Sequence, residues 1–284
     1  MSIGGGRCVL VTGCSSGIGW HAAQGLRDRG YRVFATARRP EDVEKLREEN
    51  LEAVRLDLDE PSSIQAAWSQ VRERCEGRLY ALFNNAGNGL PGAVEDVSRE
   101  ALRRQLETNL LGPHELTRLV LPDMRRAGAG RIVHNGSALA LVALPYRGAY
   151  LAAKCALEGL TDTLRLELDG SGVQVSLLEL GPTESGFRRR AHAAFLADID
   201  REASAHREAY ARLERQLADE HYRAPLSVAP EAVLPKLYHA LESPRPRPRY
   251  YVGVPSRGLA LLRRLPTRWI DAAARAIWRR ERQR

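Results

Sequence analysis

An α/β fold, with one doubly wound parallel sheet in a single domain, is expected for this chain of 284 residues. Strand-like and helix-like segments alternate from the N-terminus onward, the pattern of repeated βαβ units. The strand-like runs are apolar almost throughout, as strands covered by helices on both faces must be. The third sign is a glycine-rich turn between the first run and the first helix.

Residues 7–12 (RCVLVT) read as a buried strand, and 17–29 as the helix after the glycine turn. Residues 31–36 (YRVFAT) give the second strand and 41–49 the second helix. A strand at 53–58 precedes a helix at 61–75, opened by Pro61 because proline suits a first helical turn. Strand 79–84, helices 99–111 and 113–127, strand 131–135, helix 149–169 and strand 173–180 complete the repeating part. A late helix at 228–241 and a last strand at 250–254 follow, and the PRPRPR run at 244–249 between them is a stiff connector rather than a domain boundary.

The apolar fraction of 44% and charged fraction of 27% are those of an ordinary soluble globular protein. No apolar run approaches the roughly 20 residues of a membrane-spanning helix, and the first residues lack the parts of a secretory leader. A cytoplasmic location is the default expectation. Cys8, Cys14, Cys75 and Cys155 form no Cys-x-x-Cys pair and the seven histidines show no ligand spacing, which argues against a metal site or a disulfide framework. The net charge of +8 is uneven: beyond Pro244, 12 arginines face only Asp271 and Glu281. The rest of the chain is nearly neutral, so no basic face for nucleic acid is implied. With three lysines against 40 arginines, a lysine here is the more informative residue.

The turn TGCSSGIG follows a strand and opens a helix, the setting in which backbone amides at a helix N-terminus hold a pyrophosphate. Gly13, Ser15, Ser16, Gly17, Ile18 and Gly19 are therefore the expected contacts of a dinucleotide in a Rossmann-like domain. Sites for NAD usually carry a carboxylate at the end of the second strand. This chain has Thr36-Ala37-Arg38-Arg39 there, and its first acids, Glu41 and Asp42, come only after Pro40. A guanidinium at Arg38 suits a 2′-phosphate, with Ser16 as a further donor, and points to NADP(H). The alternative is a solvated arginine pair before a helix.

Tyr150 and Lys154 are four residues apart at the start of a helix, so they share a face. An ammonium beside a phenol favours the phenolate and draws its pKa down toward the working range. Ser137, just after the strand at 131–135, can face that helix across the carboxyl edge of the sheet, where α/β ligands bind.

The ordered set TGCSSGIG, Asn84-Asn85-Ala86-Gly87, Ser137 and Tyr150-x-x-x-Lys154 resembles the signature of the short-chain dehydrogenase/reductase family over about residues 7–187. Through CSSGIG, ATARRP, NNAGNGLPGAVED and ELGPTESGF it most resembles the branch containing estradiol 17-beta-dehydrogenase and retinol dehydrogenases. The resemblance implies that Tyr150 exchanges the substrate proton, Ser137 hydrogen-bonds the carbonyl oxygen, and Lys154 binds the nicotinamide ribose. It implies that Asn109 anchors a water in the proton relay, that Asp57 and Leu58 border the adenine, and that Asn85, Ala86 and Gly87 border its ribose. It places Gly181, Pro182 and Thr183 at the nicotinamide, with Ser185 supplying the hydroxyl of the usual threonine. Leu180-Gly181 replaces the family's common Pro-Gly, and Thr183 a common aliphatic residue. On their own, Asn109 could cap or kink its helix, Ser137 end a strand and Asp57 start a turn.

Residues 186–225 are charged and helix-prone, and stand where the family carries a substrate lid; Phe187, Phe195, Leu196, Tyr210, Leu213 and Leu217 would form its apolar face, unless the stretch is a solvated excursion. In the basic C-terminal segment, about 258–284, Leu259, Leu262, Leu265, Trp269, Ala273, Ile277 and Trp278 recur at helical spacing, with Pro266 dividing it into two helices. Such a segment packs on its own domain or a partner subunit, lies on an anionic membrane, or binds nucleic acid, in that order of expectation. The expected function is hydride transfer between NADP(H) and a lipophilic ketone, aldehyde or secondary alcohol by a homodimer or homotetramer. A cofactor-binding regulator without turnover, and the same enzyme held on a membrane by its tail, are the alternatives. The apolar residues 89–91 and 139–145 would wall the substrate pocket.

Overall fold

The computed structural model describes residues 4–283. Seven parallel strands form one sheet in the order β3-β2-β1-β4-β5-β6-β7. They are β1 (Cys8–Val11), β2 (Arg32–Ala37), β3 (Glu52–Arg55), β4 (Leu79–Asn84), β5 (Gly130–Asn135), β6 (Val173–Leu180) and β7 (Arg249–Val252). The doubly wound expectation holds. The strand order reverses between β1 and β4, which opens a crevice at their carboxyl ends.

Alternate residues of each strand feed two separate cores, which is why the strands read as continuously apolar. Val9, Val11, Val33, Ala35 and Phe83 face α1 (Gly17–Asp28), α2 (Pro40–Glu48) and α9 (Leu234–Glu242). Leu10, Phe34, Leu82 and Ile132 face α3 (Pro61–Arg74), α5 (Gly112–Ala127) and the end of α6 (Gly148–Glu167). Each side buries leucine, valine and aromatic side chains worth about 1.5–3 kcal/mol apiece.

Four segments differ from their sequence reading. The strand expected at 53–58 is β3, which stops at Arg55 ahead of the turn at Asp57. The helix expected at 99–111 is α4 (Arg99–Leu106) followed by a widened π-turn, Glu107–Leu111, that runs into α5 without a break. The late helix is shorter: a 3-10 turn at Pro230–Val233 precedes α9, because Pro230 and Pro235 each suit only a first turn. Strand β7 stops at Val252, since Gly253 adopts φ +82° and starts α10 (Val254–Leu262). Two helices, α7 (Phe187–Asp198) and α8 (Arg207–Ala218), occupy the 186–225 stretch, and α11 (Thr267–Gln283) ends the described chain. Among the described residues no helix is long and apolar enough to cross a membrane.

Arg249 ties β7 to its neighbours. Its Nη1 lies 3.1 Å from Glu158 on α6 and 3.3 Å from Glu179 on β6, and its Nη2 lies 2.5 Å from Asp162.

Candidate functional site

The site lies at the carboxyl edge of the sheet, where β1, β4, β5 and β6 all end. The glycine-rich turn leaves β1 with Gly13 at φ +72° and Gly17 at φ +59°, values that L side chains rarely adopt. A Cβ on Gly13 would stand 2.8 Å from the Cα of Ala86, so β4 and the turn meet backbone to backbone. Thr12 locks them together: its Oγ1 accepts the amides of Asn85 and Ala86, both at 2.9 Å, while Asn85 Nδ2 donates to Thr12 O at 2.8 Å. Ser16 precedes α1 in extended conformation and makes no capping bond to the helix, so the first-turn amides have no side-chain acceptor. Positive-φ glycines, uncapped amides and close backbone contact are what a pyrophosphate cradle requires, and the turn fits a dinucleotide.

Arg38 and Arg39 prove unequal. Arg39 pairs with Asp42 at 2.9 Å and Glu41 at 3.4 Å, using up both nearby acids. Arg38 is exposed and pairs with no acid among the described residues. Sequence reasoning missed its partner in charge: Arg190 of α7 reaches Ser16, Nη1 to Oγ 3.4 Å. Although that residue is exposed as a whole, burial of its guanidinium, then the like charges of Arg189 and Arg38, hold its pKa below the usual range. The only hint in the sequence was the Arg188-Arg189-Arg190 run, which helical spacing alone assigns to solvent.

Asp57 behaves as a turn residue. Its Oδ1 accepts the amide of Asp59 at 3.1 Å and its own amide donates to Ser63 at 2.9 Å, while Leu58 is buried against Gly112 of α5.

At the other end of the crevice, Ser137 (two residues beyond β5), Tyr150 and Lys154 (α6) and Asn109 (π-turn) converge. Lys154 is buried and donates to Asn135 O at 2.8 Å, with its Nζ 5.8 Å from the Tyr150 ring centroid. Burial draws the Lys154 ammonium down to about 8, opposed by the charge of Glu179. Burial, with the charge of Glu179 acting the same way, pushes the Tyr150 phenol up to about 12 against a lowering hydrogen bond from Ser137, rather than down as expected. Asn109 is fully buried. Its Nδ2 donates to Asn88 O (3.0 Å), Asn88 Oδ1 (3.1 Å) and Gln105 O (3.1 Å), leaving Oδ1 without a donor among the described residues. A Cβ on Gly87 would stand 2.8 Å from that Oδ1 and 3.7 Å from Lys154 Nζ, so both polar atoms face the same glycine. Asn88 and Gln105, which hold Asn109, were not foreseen.

After β6, Thr183 forms a parallel bridge with Val228 through Pro182 O (3.0 Å) and the amide of Glu184 (3.0 Å), and its own amide takes no part. Ser185 Oγ accepts the amide of Phe187 at 3.3 Å and so starts α7. Phe187 then meets Tyr150 edge to face, ring centroids 5.5 Å apart, and lies over Gly89. Of the expected apolar face of this stretch, Phe195, Tyr210, Leu213 and Leu217 are buried with Leu90, but Leu196 is 42% exposed. The expected pocket wall divides too. Leu141 and Val142 are covered by the C-terminal helices, whereas Leu139, whose amide donates to Ser137 Oγ at 3.2 Å, is half-buried and Phe187 lies against Tyr150.

Residues 7–195 match the short chain dehydrogenase family. The chain belongs to this family of oxidoreductases. It is 37% identical over 266 residues to the uncharacterized oxidoreductase YbbO of Escherichia coli strain K12, covering 93% of each chain. It is 35% identical over 270 residues to human 17-beta-hydroxysteroid dehydrogenase type 1, covering 90% of this chain and 79% of that one. Among solved structures it resembles a single-substitution variant of actinorhodin polyketide ketoreductase with NADPH, with TM-score 0.72, 29% identity, and coverage of 92% and 99%.

Proposed function

We propose that the protein reduces lipophilic ketones or aldehydes, or oxidises the matching secondary alcohols, with NADP(H), and that Tyr150 is its general acid and base. The observation that carries this is the convergence of Ser137, Tyr150 and Lys154 at the same sheet edge as the glycine-rich turn. When bound, the dinucleotide supplies or takes the hydride. In the reducing direction the Ser137 hydroxyl donates a hydrogen bond to the carbonyl oxygen, and the Tyr150 phenol donates the proton that completes the alcohol. A phenol held up at about 12 is in its acid form at neutral pH, the form this direction consumes. Lys154, with one N–H on Asn135 O, would hold the ribose hydroxyls with the others. The free acceptor of Asn109, facing Gly87 beside the ammonium, suits a bridging water that returns the proton. Arg38, Ser16 and Arg190 favour a 2′-phosphate by charge and geometry.

Phe187 against Tyr150 and Leu139 beside Ser137 favour a lipophilic substrate, as do the steroid and polyketide names of two relatives. Residues 186–225 serve as its lid. The exposed Leu111, Leu160 and Leu166, on the helices that carry Asn109 and Tyr150, suit a homodimer or homotetramer interface, read by light scattering. The direct test of function is NADPH absorbance over a panel of ketones, aldehydes and alcohols. Turnover of none of them, with the cofactor bound, overturns the reading in favour of a regulator.

A further inference from the structure

The helices α10 and α11 use only one side to hold the fold. Leu259, Leu262, Ile270 and Ala274 pack with Leu141, Val142 and Leu144 of the segment after Ser137, and Trp278 meets Tyr146 with ring centroids 4.9 Å apart. Arg263 reaches Glu158 at 3.3 Å. Packing on the chain's own domain therefore accounts for the inward face, and for nothing else. The outward face is apolar and basic at once. Val254, Leu261 and Trp269 are 71%, 65% and 58% exposed. Val254 and Leu261, seven residues apart, fall on one line of α10, flanked by Arg257 and Arg264. Arg268, Arg275 and Arg279 fall on one line of α11 beside Trp269. None of these five arginines pairs with an acid among the described residues, and Asp271 is the one acid between Val254 and Arg279.

We infer that this outward face docks on an anionic lipid bilayer, with α11 lying in the plane of the headgroups. Exposed leucine and tryptophan flanked by guanidinium groups match the boundary between acyl chains and anionic headgroups. A nucleic acid would pair with the arginines but leave Leu261 and Trp269 in water. A second copy of the same face would set arginine against arginine, a juxtaposition that costs several kcal/mol. The helices also cover Leu141, Val142 and Leu144, a few residues beyond Ser137, so docking turns that side of the site toward the lipid. The inference stands on the tail alone and does not depend on which substrate is reduced.

The test is co-sedimentation of the full chain with phosphatidylcholine vesicles, with and without phosphatidylglycerol. Pelleting is expected only with phosphatidylglycerol, and salt should release the protein. Combining Arg268→Glu, Arg275→Glu and Arg279→Glu should lower the partition coefficient ~100-fold or more. Leu261→Ser with Trp269→Ser should lower it at least about tenfold at unchanged charge, which separates insertion from mere attraction. All these residues are exposed, so the thermal midpoint and NADPH affinity should stay at the wild-type level and show that the variants are folded. Three results overturn the inference. They are no pelleting with phosphatidylglycerol, pelleting indifferent to Leu261 and Trp269, and a wild-type oligomer that Leu261→Ser with Trp269→Ser dissociates in the absence of lipid.

Discussion

Arg190 of α7 and Ser16 of the glycine-rich turn are 174 residues apart in sequence and 3.4 Å apart in space. The contact joins the segment over Tyr150 to the turn proposed to hold the cofactor phosphates. A Cβ on Gly17 would also stand 2.9 Å from the Cβ of Ser185, so the start of α7 rests directly on the turn. The two ends of the crevice are thus tied together through α7.

The first prediction concerns cofactor choice. Arg38→Asp should weaken NADPH binding by several kcal/mol, because attraction to the 2′-phosphate becomes repulsion, and should barely change NADH. Arg190→Ala removes one charged hydrogen bond and should weaken NADPH by about 1.5–3 kcal/mol. Fluorescence titration of both cofactors measures this. Equal wild-type affinities for NADPH and NADH would remove the 2′-phosphate reading, whereas a preference untouched by Arg190→Ala would remove only the role of α7.

Tyr150→Phe deletes the proton donor and little else. Turnover should fall by about 10²–10⁴ while NADPH affinity stays within a few-fold. Lys154→Ala should harm both, since it leaves the ribose without its donor and strips Asn135 O of its partner. A Tyr150→Phe enzyme with near-normal kcat would show that the proton comes from elsewhere.

The sheet, the glycine-rich turn and the Tyr150–Lys154 pair were legible because each follows from spacing along one element. Val9 and Val11 alternate with Cys8 and Leu10 whatever the rest of the chain does. Arg190 was not legible, since its meaning comes from a contact across most of the chain. Leu141 and Val142 look like pocket wall from the sequence, and only the path of the C-terminal helices shows them to be covered. The upward direction of the Tyr150 shift was not legible for the same reason: burial is a property of the assembled site, and it is the largest cause of the shift.

Phe187 supplies the third prediction. Its ring stands edge to face with Tyr150 and over Gly89, so on the proposed function a substrate at Tyr150 is expected to lie against it. Burial against an apolar wall contributes roughly 25 cal/mol per Å², whereas an unpaired charged group is penalised there. Catalytic efficiency should therefore rise across ketones of growing hydrophobic size, and Phe187→Ala should flatten the trend by raising KM for the largest. A flat wild-type series, or a preference for small anionic substrates, would refute the lipophilic pocket.

The last prediction follows from Glu179, which is fully buried beneath the Lys154 helix. Arg249 reaches one oxygen at 3.3 Å, but the other has no hydrogen-bond donor among the described residues, and neither does one oxygen of the neighbouring Glu158. Burial, and then the charge of Glu158, push the Glu179 carboxyl from 4.5 up to about 8, with Arg249 pulling the other way. Below the unfolded value the group is protonated in both states and the fold keeps its full stability. As pH rises from about 4.5 toward about 8, the unfolded chain gives up this proton while the folded one holds it, so stability falls across that window. Glutamine has the same shape and no proton to lose. Glu179→Gln should therefore gain stability relative to the wild type as pH rises, by on the order of 2 kcal/mol between about pH 5 and about pH 8. Thermal midpoints of the two proteins at both pH values measure the effect. If the difference between them is constant, or shrinks with rising pH, Glu179 is ionised throughout and Arg249 alone neutralises it.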